Sequence, residues 1–115
     1  MEQKLHPVLS VRLFTDEKCF GPGVAALLTL VRTHHSLRAA AMEMGMAYSK
    51  AWTILKNAEE QLGFKLLLST TGGKHGGGAQ LTEQGEAFLA AYTHYCQTLR
   101  EAAQRQFAVD FAAFL

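Results

Sequence analysis

Cysteine is scarce in this sequence: only Cys19 and Cys96 occur, and they do not form a Cys-x-x-Cys pair. Two isolated cysteines are typical of reduced, structural thiols and do not predict a disulfide framework. Long apolar runs are also missing, since no stretch approaches the roughly 20 residues that cross a bilayer. Residues 1–14 have neither a continuous apolar core nor a small-residue cleavage site, so we expect a cytoplasmic chain without a signal peptide.

Net charge is low as well, at +1, whereas 49% of the residues are hydrophobic and 18% are charged. Such a composition is typical of a globular chain, and 115 residues suffice for one domain with a modest core. The charge is uneven, because residues 32–74 carry six basic and three acidic side chains, a local charge of +3, and the remainder carries −2. A basic face on a near-neutral protein permits DNA binding without demonstrating it.

Residues 36–62 have the pattern of a helix pair, with a short alanine-rich helix, a turn at Gly45 and a longer helix. One stripe of the longer helix is apolar at helical spacing. Its members are Ala51, Ile54, Leu55, Ala58 and Leu62. The opposite stripe is small, polar and basic, and comprises Ser49, Lys50, Thr53, Lys56 and Asn57. One face for a core and one for a DNA major groove is what a helix-turn-helix requires, and this is the predicted motif.

Local signals predict how these two helices begin and end. We expect Ser36 to cap the first helix and Gly45 to adopt a positive φ at the turn. The second helix lacks a side-chain cap, because Ala47 offers no acceptor, and Gly63 ends it. Trp52 lies beside the apolar stripe and is predicted to anchor the core.

Three segments precede the helix pair. Residues 8–14 alternate between apolar and polar side chains, which predicts a half-buried strand. Residues 15–23 contain aspartate, glycine and proline and predict a turn. Residues 24–34 then predict a helix with a buried stripe. Its members are Val24, Leu27, Leu28 and Val31.

A glycine-rich segment follows the pair. Residues 64–68 form an apolar run that predicts a strand, and five glycines then lie within residues 72–78, interrupted only by Lys74 and His75. Two strands around a basic loop, directly after a helix-turn-helix, predict a wing. A phosphate-binding loop of an enzyme is excluded, because Lys74 is not followed by serine or threonine and the next element is a strand. The glycines would let backbone N–H groups approach DNA phosphates while Lys74 supplies charge.

The last predicted element is a long helix that Thr82 caps and that ends near Val109. Its apolar positions recur in steps of three and four, and its tail is rich in phenylalanine. Because three helices already cover the core of a small domain, this surface predicts a symmetric dimer; the alternative is a helix that folds back on its own domain. The predicted interface comprises Leu89, Tyr92, Cys96, Leu99, Ala103 and Phe107.

The predicted fold is therefore mainly α with a small β wing. It is a single domain, residues 1–115, with a winged helix-turn-helix over about 8–82 and a dimerisation helix and tail over 83–115. The histidines do not have the spacing of a metal site, and there is no nucleophilic or paired-carboxylate arrangement to argue from. We therefore predict no cofactor, no metal and no enzyme activity.

Three segments carry a resemblance to a known family, namely HHSLRAAAMEMGMAYSKAW, TTGGKHGGGAQLT and LTEQGEAFL. On these segments, the sequence resembles the N-terminal DNA-binding domain of the ModE family of molybdate-responsive bacterial transcription regulators. More distantly it resembles the winged helix of LysR-type regulators, which share a helix-turn-helix followed by LT-x-x-G. The resemblance covers about residues 8–109. It implies a dimer held by the N-terminal strand region and the long helix, with recognition helices in successive major grooves and wings on the flanking backbone or minor groove.

The resemblance also implies the DNA contacts, in the recognition helix and in the wing. The DNA-binding candidates are Ser36, Arg38, Ser49, Lys50, Thr53, Lys56, Thr71, Gly72, Gly73, Lys74 and His75. Glu59 and Glu60 lie at the C-terminal end of the recognition helix and would be repelled by phosphate. We therefore expect its N-terminal half to face the groove.

Three features depart from the family pattern. Ser69 stands where arginine often follows the short strand, which removes a phosphate contact, and His75 stands where the family tends to have glycine. The 115 residues hold none of the C-terminal oxyanion-binding domains of molybdate-sensing members, so molybdate sensing is not expected of them and no effector is predicted. Double-stranded DNA and a second copy of the chain are the predicted partners, with no membrane; the alternative is a winged-helix protein-interaction module without direct DNA binding.

Overall fold

Four helices and two small antiparallel hairpins make up the part of the chain, residues 3–70 and 78–115, that the computed structural model describes. The elements are β1 Leu13–Phe14, β2 Lys18–Phe20, α1 Pro22–His34, α2 Leu37–Glu43, α3 Tyr48–Leu62, β3 Leu67–Thr70, β4 Gly78–Leu81, α4 Glu83–Asp110 and a short 3-10 helix Ala112–Phe114. This architecture confirms the prediction of a mainly α fold with a small β wing. Among the helices of this described part, none is both long and apolar enough to span a membrane.

Helix α1 lies at the centre of the core. Its predicted stripe of Val24, Leu27, Leu28 and Val31 is buried. Ala40 and Ala41 of α2 are almost completely buried against it, because alanine lets two helices approach closely. On α3 the predicted apolar stripe also faces inward, with Ala51, Leu55 and Ala58 buried.

The N-terminal hairpin differs from the prediction. The predicted strand over residues 8–14 is reduced to Leu13–Phe14, and the predicted turn over 15–23 contains the second strand, Lys18–Phe20. The alternation nevertheless marks a half-buried face, because Val11 and Leu13 are partly buried against the core whereas Arg12 and Phe14 are exposed. Phe20 is fully buried and packs edge-on against Phe88 and Tyr92 of α4, with ring centroids 4.7 and 5.0 Å away. Burial of this ring, which local turn signals do not reveal, fixes β2 in place.

The predicted helix ends are confirmed. Ser36 accepts a hydrogen bond from the Ala39 N–H at 3.0 Å, and Gly45 has a φ of 71°. Ala47 precedes α3 without a side-chain cap, and Gly63 ends that helix with a φ of 84°. These local signals place α2 and α3 as the two helices of the helix-turn-helix.

The turn between β4 and α4 joins three elements. The Thr82 hydroxyl accepts from the Gly85 N–H at 2.8 Å and donates to the Lys65 carbonyl at 2.6 Å, while the Thr82 N–H donates to the Leu66 carbonyl at 2.9 Å. A Cβ on Gly85 would lie 2.5 Å from the Leu66 carbonyl oxygen. The glycine of the LT-x-x-G pattern is therefore required by a close backbone approach, which fixes the start of α4 against the base of the hairpin.

Helix α4 contributes to the core of its own chain. Leu89, Tyr92 and Cys96, predicted at the dimer interface, are only 3–7% exposed within the single chain. They therefore leave little surface for a second copy. For this half of α4, the burial agrees with the alternative prediction, in which the helix folds back on its own domain. Within the described helix, no residue after Cys96 is buried.

Candidate nucleic-acid interface

The face of α3 opposite the core is exposed. Ser49, Lys50 and Thr53 are open to solvent, and Lys56 is half-buried. The Thr53 hydroxyl donates to the Ser49 carbonyl at 2.9 Å, which leaves its oxygen free to accept from a ligand. Asn57, at the edge of the predicted polar stripe, instead donates to the Lys18 carbonyl at 3.3 Å and holds β2. The assignment of the exposed residues to DNA contact stays a prediction.

Trp52 does not anchor the core, so that prediction is wrong. It is 48% exposed, whereas Ala51, Leu55 and Ala58 form the buried face of α3. The Lys56 ammonium lies 5.3 Å from the centroid of the Trp52 ring. A cation at that distance from a ring face is attracted by the aromatic quadrupole, so Trp52 forms part of the charged surface.

A second pair of this kind joins α2 to α3. The Arg38 guanidinium carbon lies 4.3 Å from the centroid of the Tyr48 ring, which is 40% exposed. Arg38 was a predicted DNA contact, whereas sequence reasoning did not select Tyr48 or Trp52. The signal that could have found them is their spacing, since Tyr48, Trp52 and Lys56 are four residues apart and share one side of the helix.

A cleft of about 460 Å³ separates α3 from the β3–β4 hairpin, and we name it the α3–hairpin cleft. Its walls come from the start of α2, one side of α3 and the facing edge of the hairpin. Among the residues that the structure describes, three cations line it, namely Arg38, Lys56 and Lys65. Two of them, Arg38 and Lys56, were predicted as DNA contacts, and the structure brings them to the same cleft.

Glu59 is the acidic residue in the cleft lining, and its charge is directed inward. One carboxylate oxygen accepts from the Leu66 and Leu67 N–H groups at 2.8 and 3.2 Å, and the side chain is only 11% exposed. The other oxygen lies 3.9 Å from the ammonium groups of Lys56 and Lys65. The repulsion of phosphate that was expected of Glu59 and Glu60 therefore comes mainly from Glu60, which is exposed. The bonds from Glu59 also hold the backbone where β3 begins, at Leu67.

The hairpin is anchored beside the helix pair. Strands β3 and β4 pair from Leu67 opposite Leu81 to Thr70 opposite Gly78. Strand β3 therefore begins three residues later and ends two residues later than the predicted strand over 64–68. The Ala79 N–H donates to the carbonyl of His35 at 2.9 Å. His35, directly before Ser36, has a left-handed φ of 55°. The wing candidates Thr71, Gly72, Gly73, Lys74 and His75 lie outside the described residues.

Ser36, another predicted DNA contact, has a structural role. Ser36 uses its hydroxyl to cap α2, so its oxygen already accepts one hydrogen bond. In residues 3–70 and 78–115, no group of three or more histidine, cysteine, aspartate or glutamate side chains could hold a metal ion. What the arrangement offers is an exposed helix face, a cationic cleft beside it and an anchored hairpin, which suits an extended polyanion.

A helix-turn-helix followed by a two-stranded hairpin, with a polar and basic face on its second helix, defines a winged helix-turn-helix protein. The chain belongs to the family described as bacterial regulatory helix-turn-helix proteins of the lysR family, whose pattern matches residues 24–86.

Similar proteins confirm the resemblance to the ModE family. The molybdenum-pterin-binding protein MopB of Rhodobacter capsulatus is 40% identical over 67 residues, which cover 58% of this chain and 25% of MopB. The transcriptional regulator ModE of Yersinia pestis is 34% identical over 84 residues, covering 73% of this chain and 30% of ModE. The DNA-binding transcriptional dual regulator ModE of Escherichia coli K12 is 30% identical over 94 residues, 82% of this chain and 34% of ModE. The chain thus spans a quarter to a third of the length of these relatives.

Proposed function

We propose that the chain is a DNA-binding transcriptional regulator that reads specific sequences, with α3 in the major groove and the glycine-rich loop on the flanking backbone. The observation that carries the proposal is the exposed face of α3, which presents Ser49, Lys50 and Thr53 away from its buried face. Membership in a family of regulatory helix-turn-helix proteins supports it, as does the name of the Escherichia coli relative.

The residue types on α3 suit different parts of a duplex. Lys50 and Lys56 carry charge to phosphates, and a lysine can also donate to guanine O6 and N7. Ser49 and Thr53 are short, so they reach base edges only when the helix lies deep in the groove. The N-terminal half of α3 therefore faces the bases, with exposed Glu60 at the end farther from the DNA.

The proposal includes a homodimer. Leu99, Ala103 and Phe107 are only partly buried within the described chain, and they continue the stripe of α4 beyond the core. A two-fold pair of chains would cover this surface and place two α3 helices on the DNA, one half-site each. Because α3 lacks a side-chain cap and Ser69 replaces an arginine, we expect each half to bind modestly and affinity to depend on both copies.

Salt dependence of duplex binding tests the function. With a fluorescent mixed-sequence duplex, affinity should fall steeply between low and moderate salt, because each neutralised phosphate releases counterions. Replacing Lys50 and Lys74 together by alanine should lower the slope of log affinity against log salt by about 2. The charge-matched control replaces Arg100 and Arg105, which are exposed on α4, and should leave the slope unchanged.

Two results would contradict the proposal. One is duplex affinity that does not respond to salt, and the other is a Lys50→Ala, Lys74→Ala protein that binds as well as its control. Absence of duplex binding at every salt concentration would favour the protein-interaction module. If the chain does bind duplex DNA, mapping the bound sites in genomic DNA would identify the operator sequence.

A further inference from the structure

Two aromatic side chains of α3 are exposed in a position that the proposed base contacts do not use. Tyr48 and Trp52 are 40% and 48% exposed and stand four residues apart, so they are neighbours on the helix surface. Large aromatic side chains normally bury most of their surface in a core or an interface. Their exposure beside two cations therefore requires an explanation other than core packing.

The rings face the α3–hairpin cleft. Tyr48, Trp52 and Lys56 line it, whereas among the described residues Ser49, Lys50 and Thr53 are not part of the lining. Because successive residues are turned by about 100° around a helix, the two sets occupy adjacent sides of α3. A duplex whose bases meet the outer side would bring one of its strands alongside the cleft.

The cleft surface combines aromatic rings with cationic groups. Arg38 lies over the Tyr48 ring and Lys56 over the Trp52 ring, and Lys65 adds a third positive charge from the hairpin side. Glu59, the acidic member, is mostly buried and bonded to two backbone N–H groups. Over the described residues, the surface offered to a ligand is therefore net positive, with two rings beside the charges.

We propose that the sugar–phosphate backbone of one DNA strand lies in this cleft, with the Trp52 ring as a contact for deoxyribose and Arg38, Lys56 and Lys65 as phosphate contacts. A strand of DNA presents apolar sugar surfaces beside anionic oxygens, which matches a surface that combines rings with cations. Phosphate contacts fix how a protein is placed on a duplex, so this cleft sets the depth and register of α3. The assignment rests on the proposed DNA-binding function.

Trp52 is the single tryptophan of the chain, so its fluorescence reports on this cleft alone. The experiment measures quenching of Trp52 by acrylamide in the full chain, with and without a mixed-sequence duplex at low salt. Anisotropy of a labelled duplex records binding in the same samples. We expect saturating duplex to lower the quenching constant severalfold, because the sugar–phosphate backbone would cover the exposed ring.

Substitutions separate the ring from the charges. Trp52→Ala should weaken duplex binding about tenfold, and Trp52→Phe about twofold, because phenylalanine keeps an aromatic face. Neither should alter the salt slope, since tryptophan is neutral, whereas Lys56→Ala should lower it by about 1. Tyr95→Ala is the matched control, because Tyr95 is 52% exposed on α4. The Tyr95→Ala protein should bind duplex DNA with the same affinity as the unsubstituted chain.

The outcomes distinguish this inference from the function beneath it. Duplex binding that leaves Trp52 equally quenchable would overturn the cleft assignment and leave the DNA-binding function intact. Absence of duplex binding would overturn both. Equal protection of Trp52 by inorganic pyrophosphate alone would also overturn the assignment, because the cleft would then be a site for small anions.

Discussion

The two halves of α4 have the same sequence pattern but different surroundings. In residues 83–96 four positions are buried, namely Gly85, Leu89, Tyr92 and Cys96. In residues 97–110 the structure buries none, although Leu99, Phe107 and Val109 continue the apolar character. At 28 residues the helix is about 42 Å long, so it extends beyond the domain that its first half completes.

One stripe of α4 therefore divides into a part that the chain buries itself and a part that it leaves accessible. The near half lies in the chain's own core, whereas the phenylalanines at the far end contact one another. Phe107 and Phe111 stack with ring centroids 4.9 Å apart, and Phe114 lies 6.3 Å from Phe111. Phe111 and Phe114 nevertheless remain 44% and 74% exposed, so the dimer proposal applies to the far half alone.

The largest expected effect comes from the same substitution made in each half. Leu89→Ala should lower the free energy of unfolding by about 4 kcal/mol, because Leu89 is only 3% exposed and its loss leaves a cavity. Leu99→Ala should lower it by about 1 kcal/mol or less at high dilution. Urea unfolding at low protein concentration measures both, and equal losses would contradict the division of α4.

Gly85→Ala should cost about 3 kcal/mol, because the new Cβ would lie 2.5 Å from the Leu66 carbonyl oxygen. Gly23→Ala in α1 is the matched control, since nothing lies within 4 Å of a Cβ at that position. There the replacement should be neutral or stabilising by up to about 1 kcal/mol, as expected for glycine in a helix. Thermal unfolding compares them, and a stable Gly85→Ala protein would disprove the close approach.

Removing residues 107–115 tests the far half. We expect self-association to weaken by about 2 kcal/mol, roughly thirtyfold in dissociation constant, because the exposed phenylalanines are lost. Sedimentation over a range of concentrations measures the association, and unfolding at high dilution should be unchanged. A sedimentation profile identical to that of the full chain would assign these rings to an intramolecular role.

The smallest effect concerns Tyr92, whose hydroxyl donates to the Val11 carbonyl at 2.7 Å. Burial, with a smaller contribution from Cys96, raises the pKa of Tyr92 to about 12, above the value of about 10 for a free phenol. The folded chain thus holds this proton more tightly than the unfolded chain. The stabilisation is complete below about pH 10 and is lost as the pH rises towards 12.

Tyr92→Phe should remove that part of the alkaline dependence and cost about 1 kcal/mol at neutral pH through the lost hydrogen bond. Tyr95→Phe is the control, because Tyr95 is exposed on the same helix. Denaturant unfolding of the three proteins at neutral pH and above pH 10 makes the comparison. Identical alkaline profiles for all three would contradict the role of Tyr92.

Local signals predicted much of the fold. Ser36, Gly45 and Thr82 act through bonds or backbone conformations within a few residues, so the sequence around each one sufficed. The burial of Phe20 was not predicted, and the exposure of Trp52 was predicted wrongly. Periodicity assigns a side chain to a face without saying what covers that face. Phe20 is buried by α4, which is distant in sequence.

The candidate site also has one part that was predictable from the sequence and one part that was not. Ser49, Lys50 and Thr53 were predictable as a stripe, since only the spacing along one helix was needed. The α3–hairpin cleft was not predictable, because its other wall depends on where the hairpin lies. That position is set by Glu59, which holds the Leu66 and Leu67 amides, and by the bond between Ala79 and His35.

The anchoring of the hairpin makes the segment between its strands an exchangeable module. Ala79 of β4 is bonded to His35 at the end of α1, and Glu59 holds the Leu66 and Leu67 amides at the start of β3. Both strands are therefore held by contacts outside that segment. A replacement of different length or charge can be grafted between Thr70 and Gly78 without altering these bonds, as loops are exchanged on a rigid scaffold. Under the proposed function, changing the seven residues 71–77 should alter DNA preference while the helices stay as they are.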